Sequence, residues 1–261
     1  MVFPINFFQS FIRNWHKSFI LLICFVLIIV CLFIVYSAPR FVIGFLSKIY
    51  PDVLFSIDLP SDLRYVALTI DDFPNVHNLS VSFRILEILR LYNAQCTFFT
   101  IGSHVEKYEN SPQIRALFER LIADGHEVSN HGWRDEQAIR LSPTELEKQI
   151  INTQRLINNY TSSNNRWFRP GSGFFNQTML QLCRRLDYRL VLGSIYPHDP
   201  QIPRPRLNSF FIEHKLYPGA IIILHDRFVT IETLKRVLPE IQKRNYHVVT
   251  LTQLMALKTN K

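Results

Sequence analysis

The chain has 261 residues, 48% of them hydrophobic, with only 8 glycines and a net charge of +8. That composition excludes a disordered or collagen-like chain. Four cysteines without a CxxC spacing exclude a disulfide framework and a thiolate metal site, and dispersed basic residues without a known DNA- or RNA-binding motif argue against nucleic acid.

In chain order, Phe19 to Tyr36 is an apolar run without a charge, extended by Ser18 and Ser37-Ala38 to about the 20 residues that a membrane-spanning helix needs. Arg13, His16 and Lys17 precede it, so the positive-inside rule puts residues 1–17 in the cytoplasm. A cleaved signal is the alternative, with a cleavage site at Val35-Tyr36-Ser37. Its apolar core would exceed the roughly 7–15 residues usual for signals. The expectation is a single-pass signal-anchor at 18–38 at the cell membrane, a linker at 39–61 and an extracytoplasmic domain at 62–261, secreted instead if the signal is cleaved. Of the charged residues, 25 basic and 19 acidic lie beyond residue 61. Such a basic domain suits anionic wall polymers or lipid headgroups.

From Asp62 apolar runs alternate with helical patterns. Strands are predicted at 65–70, 95–101, 126–130, 188–193, 219–224 and 246–251. Helices are predicted at 79–92, 177–186 and 230–243. Two more begin at Ser111-Pro112, stopped by Gly125, and at the capping box Ser142-Pro143-Thr144-Glu145. Strand-helix alternation predicts an α/β fold on a parallel sheet, open or closed into a barrel, whose sites lie at the carboxyl ends of its strands. Metal- and proton-competent residues follow these strands: Asp71 and Asp72 after the first, His131 and Asp135 after the third, His225 and Asp226 after the fifth. His131 and Asp135, four apart, face one way on a helical turn and can grip one ion. The competing role for Asp135 is a helix cap. His126 would lie at the far end of its strand, which favours a structural role.

Read together, these residues resemble the polysaccharide deacetylase family, also called the NodB homology domain or carbohydrate esterase family 4, over about residues 62–256. Thr69-Ile70-Asp71-Asp72 is similar to its Thr-Phe-Asp-Asp motif. His131-Gly132-Trp133-Arg134-Asp135 is similar to His-xxx-His with Asp in the last place. Arg169-Pro170-Gly171-Ser172-Gly173 resembles Arg-Pro-Pro-Tyr-Gly, Ser194 to Pro200 falls at the fourth motif with Asp199 as its Asp, and Ile223-Leu224-His225 resembles Leu-x-His. The resemblance implies a distorted (β/α) barrel, preceded here by the transmembrane helix. It implies a divalent metal on Asp72, His131 and Asp135, zinc first, with the Asp135 carboxylate opening the site to Mn, Fe or Co. Asp71 is then the general base held by Arg169, and His225 the general acid oriented by Asp199. The Ser172 N–H serves as oxyanion donor, and Ile223 lines the acetyl pocket.

The implied reaction removes N-acetyl groups from amino sugars of a polysaccharide such as peptidoglycan, a chitin-like polymer or an exopolysaccharide, releasing acetate, in a monomer. O-acetyl ester cleavage and weakly catalytic glycan binding are the alternatives. The chain departs from the family pattern at Phe73, Pro200 and Ser172, which are expected on the groove wall. His104 and His247 are expected to be structural or exposed, and His214 in a loop. For His77 and His198 substrate contact stays open, as does sugar stacking against core packing for Trp133 and Trp167.

Overall fold

The structure, a computed structural model, describes residues 5–162 and 165–259, with side chains from 18 onward except those of 35 and 259. It divides into two compact units, Met1–Phe45 and Leu46–Lys261. The first consists largely of helix α1 (Ile5–Ser37). On α1, where the anchor was expected, Phe19, Leu21, Leu32 and Phe33 are exposed. Among the described residues no helix is long and apolar enough to cross a membrane. The side chains of the expected cytoplasmic segment 1–17 lie outside the described residues.

The larger unit is built on a curled sheet of β1 (Val53–Leu54), β2 (Tyr65–Phe73), β3 (Cys96–Thr100), β4 (Glu127–Asn130), β5 (Trp167–Phe168), β6 (Arg189–Val191), β7 (Ile221–His225) and β8 (His247–Val249). Its order is β1-β6-β5-β4-β3-β2-β7, with β8 also on β2, and every strand pairing is parallel. Two isolated bridges, Ser56↔Ala220 and Ile195↔Ile222, carry the sheet round to β7. The expected barrel is therefore a curled, mostly parallel one whose last side is closed by irregular backbone.

The helices are α2 (Arg40–Ile49), α3 (Leu79–Leu91), α4 (Gly102–Glu106), α5 (Pro112–Ala123), α6 (Pro143–Asn158), α7 (Gln177–Arg185), α8 (Pro205–Lys215), α9 (Phe228–Lys243) and α10 (Leu251–Thr259). Side-chain oxygens of Asn78, Ser111, Ser142 and Asn176 accept backbone N–H groups at the starts of α3, α5, α6 and α7, as N-caps do. The expected linker at 39–61 instead holds α2 and β1, the latter an edge of the sheet. The short β5 and helices α4, α8 and α10 were not predicted, because two to five residues carry no readable period and α8 and α10 have polar and apolar residues on mixed faces.

Both faces of β2 are buried, as in a parallel sheet covered on each side. Val66, Leu68 and Ile70 pack with Ile85, Leu89, Phe98, Leu121 and Leu234 in the layer shared with the helices. Ala67 faces the other way, with Phe99, Val191, Ile221, Leu251 and Leu254. Phe73 is fully buried, with its ring centroid 4.9 Å from Phe98 and 5.5 Å from Phe118. It is a core residue and not the groove-wall residue expected, because the strand continues past the two aspartates instead of ending before them.

Candidate active site

The local backbone explains how two adjacent aspartates come to one place. Successive residues of a regular strand point to opposite faces. Here the β2–β3 register slips between Ile70 and Phe73, which pair with Phe98 and Thr100, so one extra residue bulges out of β2. Asp72 takes up the bulge in the left-handed region at φ 61°, a conformation that costs about 1–3 kcal/mol in a residue other than glycine. The two carboxylates thereby face one imidazole: His131 Nε2 lies 3.6 Å from Asp72 Oδ1 and 3.9 Å from Asp71 Oδ2.

His131 is fixed from behind. Its Nδ1 lies 2.7 Å from the Arg169 carbonyl, to which it donates, so the ring is held with Nε2 turned to the carboxylates. The loop after it is pinned by Asn130 Oδ1 accepting from the Gly132 N–H, and by Gln149 Oε1 accepting from the Trp133 and Arg134 N–H groups. Burial opposes charge on both partners. Asp71 and Asp72 nevertheless raise the His131 pKa, and the contact and charge of His131, with the charges of His225 and Arg227, hold Asp72 well below the usual carboxylate range.

On one side of this cluster, Arg169 Nη1 donates to Asp71 Oδ1 at 2.5 Å and to Thr69 Oγ1 at 2.8 Å, while Nε donates to the Val191 carbonyl at 3.1 Å. The guanidinium lies 4.1 Å over the Phe99 ring, and only 2% of the residue is exposed. On the other side, His225 Nδ1 is 3.0 Å from Asp199 Oδ1, and the His225 backbone N–H donates to Asp199 Oδ2 at 3.0 Å. Burial lowers the His225 pKa, but Asp199 and the charges of Asp71 and Asp72 raise it further, so the net shift is upward. Asp71 and His225 are direct partners in the β2–β7 register. Ile223 is part-buried on β7, with its side chain close to Gly193.

Ser172 sits just past Arg169-Pro170 in a short 3-10 turn, at φ 67°. The turn packs so closely on the loop after His131 that a Cβ on Gly171 would lie 2.1 Å from the Glu136 carbonyl oxygen. The structure brings Asp71, Asp72, His131, Arg169, Asp199 and His225 together in one cluster. It does not bring Asp135, the expected third ligand, to them: this residue is exposed on the loop beyond His131. Among the described residues no group of three or more His, Cys, Asp or Glu side chains is arranged to hold a metal ion. Asp135 does not cap the next 3-10 turn either, whose N-cap is Gln137 without a side-chain hydrogen bond. The i,i+4 argument required a helical turn after His131, and the chain bends there instead. Asp72 and His131 Nε2 remain a donor pair whose chemistry and orientation fit a divalent cation.

Sequence reasoning missed Arg227 and assigned no role to Asp226. Arg227 Nη2 lies 3.3 Å from Asp72 Oδ2, and its only sequence signal is that it follows the β7 motif. Asp226 is buried and accepts from Ser82 Oγ at 2.5 Å, with its Oδ1 unpartnered among the described residues. Its N–H donates to the Asp71 carbonyl and its own carbonyl accepts from Asn75, so it ties the end of β7 to the loop after β2. Burial first, and the charge of Asp72 last, push its carboxyl up to about 7 against the Ser82 and Asn75 hydrogen bonds.

Tyr196 adds a ring 5.8 Å from His225. His126 and His104 are structural: His126 Nδ1 accepts from the Cys96 N–H, and His104 Nδ1 lies 3.1 Å from the Asp72 and Pro74 carbonyls. His247 stacks on Tyr65, while His214 is on α8 and not in a loop. Trp133, part-buried, packs against the core, and Trp167 Nε1 bonds Glu127 and Thr252.

Comparison with known proteins agrees with this geometry. The family model described as polysaccharide deacetylase matches residues 59–191. The chain is 28% identical to a peptidoglycan-N-acetylglucosamine deacetylase of Bacillus cereus over 218 residues, 81% of this chain and 98% of that protein. Its fold matches a family 4 acetyl xylan esterase from Clostridium thermocellum, in complex with a cobalt ion, at TM-score 0.66 and 30% identity, covering 75% of this chain and 92% of the esterase. It also matches a family pseudoenzyme from Bacillus anthracis at TM-score 0.69 and 25% identity, covering 78% and 68%. The chain belongs to the polysaccharide deacetylase family.

Proposed function

We propose that the chain is a metal-dependent deacetylase that hydrolyses N-acetyl groups on amino sugars of a peptidoglycan-type polysaccharide. The observation that carries this is the pairing of two buried dyads, Asp71–Arg169 and Asp199–His225, on strands whose register sets Asp71 beside His225. Asp72 and His131 would hold the cation, which fits zinc or cobalt. When bound, it polarises the acyl oxygen and acidifies a water. The ion pair with Arg169 aims Asp71 to take a proton from the attacking water. His225, its Nδ1 engaged by Asp199, presents Nε2 to give a proton to the departing amine. The Ser172 N–H, in its left-handed turn, would meet the developing oxyanion, and the part-buried Ile223 would border the acetyl methyl.

Attachment to the cell membrane through 18–38, with the catalytic unit outside and monomeric, belongs to the same proposal; its support is the charge-free run from Phe19 to Tyr36. A second reading, O-acetyl ester cleavage, is favoured by the likeness to the acetyl xylan esterase. Acetate release from N-acetylated peptidoglycan and from O-acetylated xylan separates the two. Release from peptidoglycan, reduced about 10²–10⁴-fold in His225→Ala, is the expected result. Release from xylan alone would establish the esterase.

A further inference from the structure

Outside the site, arginines line both walls of one groove. Residues 203–207, leading into α8, and the Glu232 and Arg236 positions of α9 enclose a groove of about 590 Å³. Arg204, Arg206 and Arg236 are exposed in it, and none of them makes an ion pair among the described residues. The one acid of the lining, Glu232, pairs with Lys235 at 2.8 Å and also meets the charge of Arg236. The three arginines outnumber it, so the groove is net positive, while Pro205 and the half-exposed Leu207 give it apolar surface.

Its place in the fold links it to the chemistry. Pro203 is four residues past Asp199, and α9 opens three residues past His225. Both walls thus continue the two segments that carry the Asp199–His225 dyad, at the edge of the sheet where the site lies. Arg236 is eight residues into α9, about 12 Å along it at 1.5 Å per residue. The groove thus lies on the two segments that lead away from the dyad.

We propose that this groove binds carboxylate or phosphate groups borne by the polymer under attack, so that the enzyme selects an anionic glycan over a neutral one. The inference rests on the deacetylase reading and adds the charge of the substrate to it. Guanidinium groups on two facing walls suit a chain lying between them, and suit a flat anionic bilayer less. Each exposed contact is weak and screened by salt, and the three together are expected to shift KM by tenfold or more.

The test is the full-length variant Arg204→Gln/Arg206→Gln/Arg236→Gln, none of which touches the catalytic cluster. Its KM on peptidoglycan with free stem carboxylates should rise at least tenfold with kcat kept. Its kinetics on carboxyl-amidated peptidoglycan and on neutral N-acetylglucosamine oligomers should match the unaltered enzyme. Pelleting of Asp71→Asn protein, with and without the three changes, on peptidoglycan, on bead-immobilised poly(glycerol phosphate) and on phosphatidylglycerol vesicles reads the groove without catalysis and tells carboxylate, polymer phosphate and lipid phosphate apart. Loss of pelleting on at least one polymer supports the proposal even if no polymer is deacetylated. Equal KM on the charged polymer with equal pelleting overturns it, as does loss confined to phosphatidylglycerol vesicles.

Discussion

Asp72 and Asp226 show how single carboxylates are set apart at this site. Asp72 stands in a left-handed bulge with His131 and Arg227 on its two oxygens, so its charge is strongly favoured. Asp226, a few residues away in space, is buried with one oxygen unpartnered, and its carboxyl is raised from 3.8 to about 7. A carboxyl raised in the folded state adds stability below the unfolded value, and that stability is lost as pH climbs to the folded value. Stability should therefore fall between about pH 4 and pH 7, by an amount absent from Asp226→Asn. Urea denaturation of both proteins at pH 4, 5.5 and 7.5 checks this, and identical slopes would contradict the assignment of a neutral Asp226. Arg169 is the opposite case, a buried cation with a carboxylate at 2.5 Å. Removing either partner of such a pair costs about 3–5 kcal/mol, because the other charge is left buried alone.

At the level of elements, the site depends on loops held against one another, with Gly171 packed closely on the Glu136 carbonyl. Gly171→Ala should destabilise the protein by about 2 kcal/mol or more and displace Ser172, read as a lowered midpoint of thermal unfolding together with lost acetate release. An unchanged midpoint would show that the loop can give way. The same scale shows what sequence could reveal. Ser111, Ser142 and the prolines after them mark helix starts through local hydrogen bonding, so these elements were legible. Asp71 and His225 were legible because each stands at the end of an apolar strand, whereas Arg169 and Asp199 were legible only through the resemblance of their motifs. The bulge at Asp72 was not, since it is set by the register between β2 and β3, which arises from distant residues. Asp135 failed for the same reason: spacing gives a shared face only on a helix, and the path of the bend after His131 is decided by Gln149 and Asn130. Phe73 was misplaced because the strand was predicted to end at residue 70, whereas β2 runs on to Phe73 and buries its ring.

For the molecule as a whole, the compact catalytic unit Leu46–Lys261 and the helical segment before it make separate predictions. The full chain should stay with membranes after an alkaline wash, and a chain beginning at Leu46 should be released. Release of the full chain would rule out the anchor. The central claim is that one cluster, Asp71 to His225, performs metal-dependent deacetylation. The most direct measurement is acetate release from peptidoglycan by protein stripped of metal with a chelator and then given zinc or cobalt, alongside Asp71→Asn treated in the same way. The account predicts that stripping abolishes release, that added metal restores it, and that Asp71→Asn stays at least about 10²-fold slower with either metal. Stripped protein as active as loaded protein, or Asp71→Asn working at the unaltered rate, would contradict it.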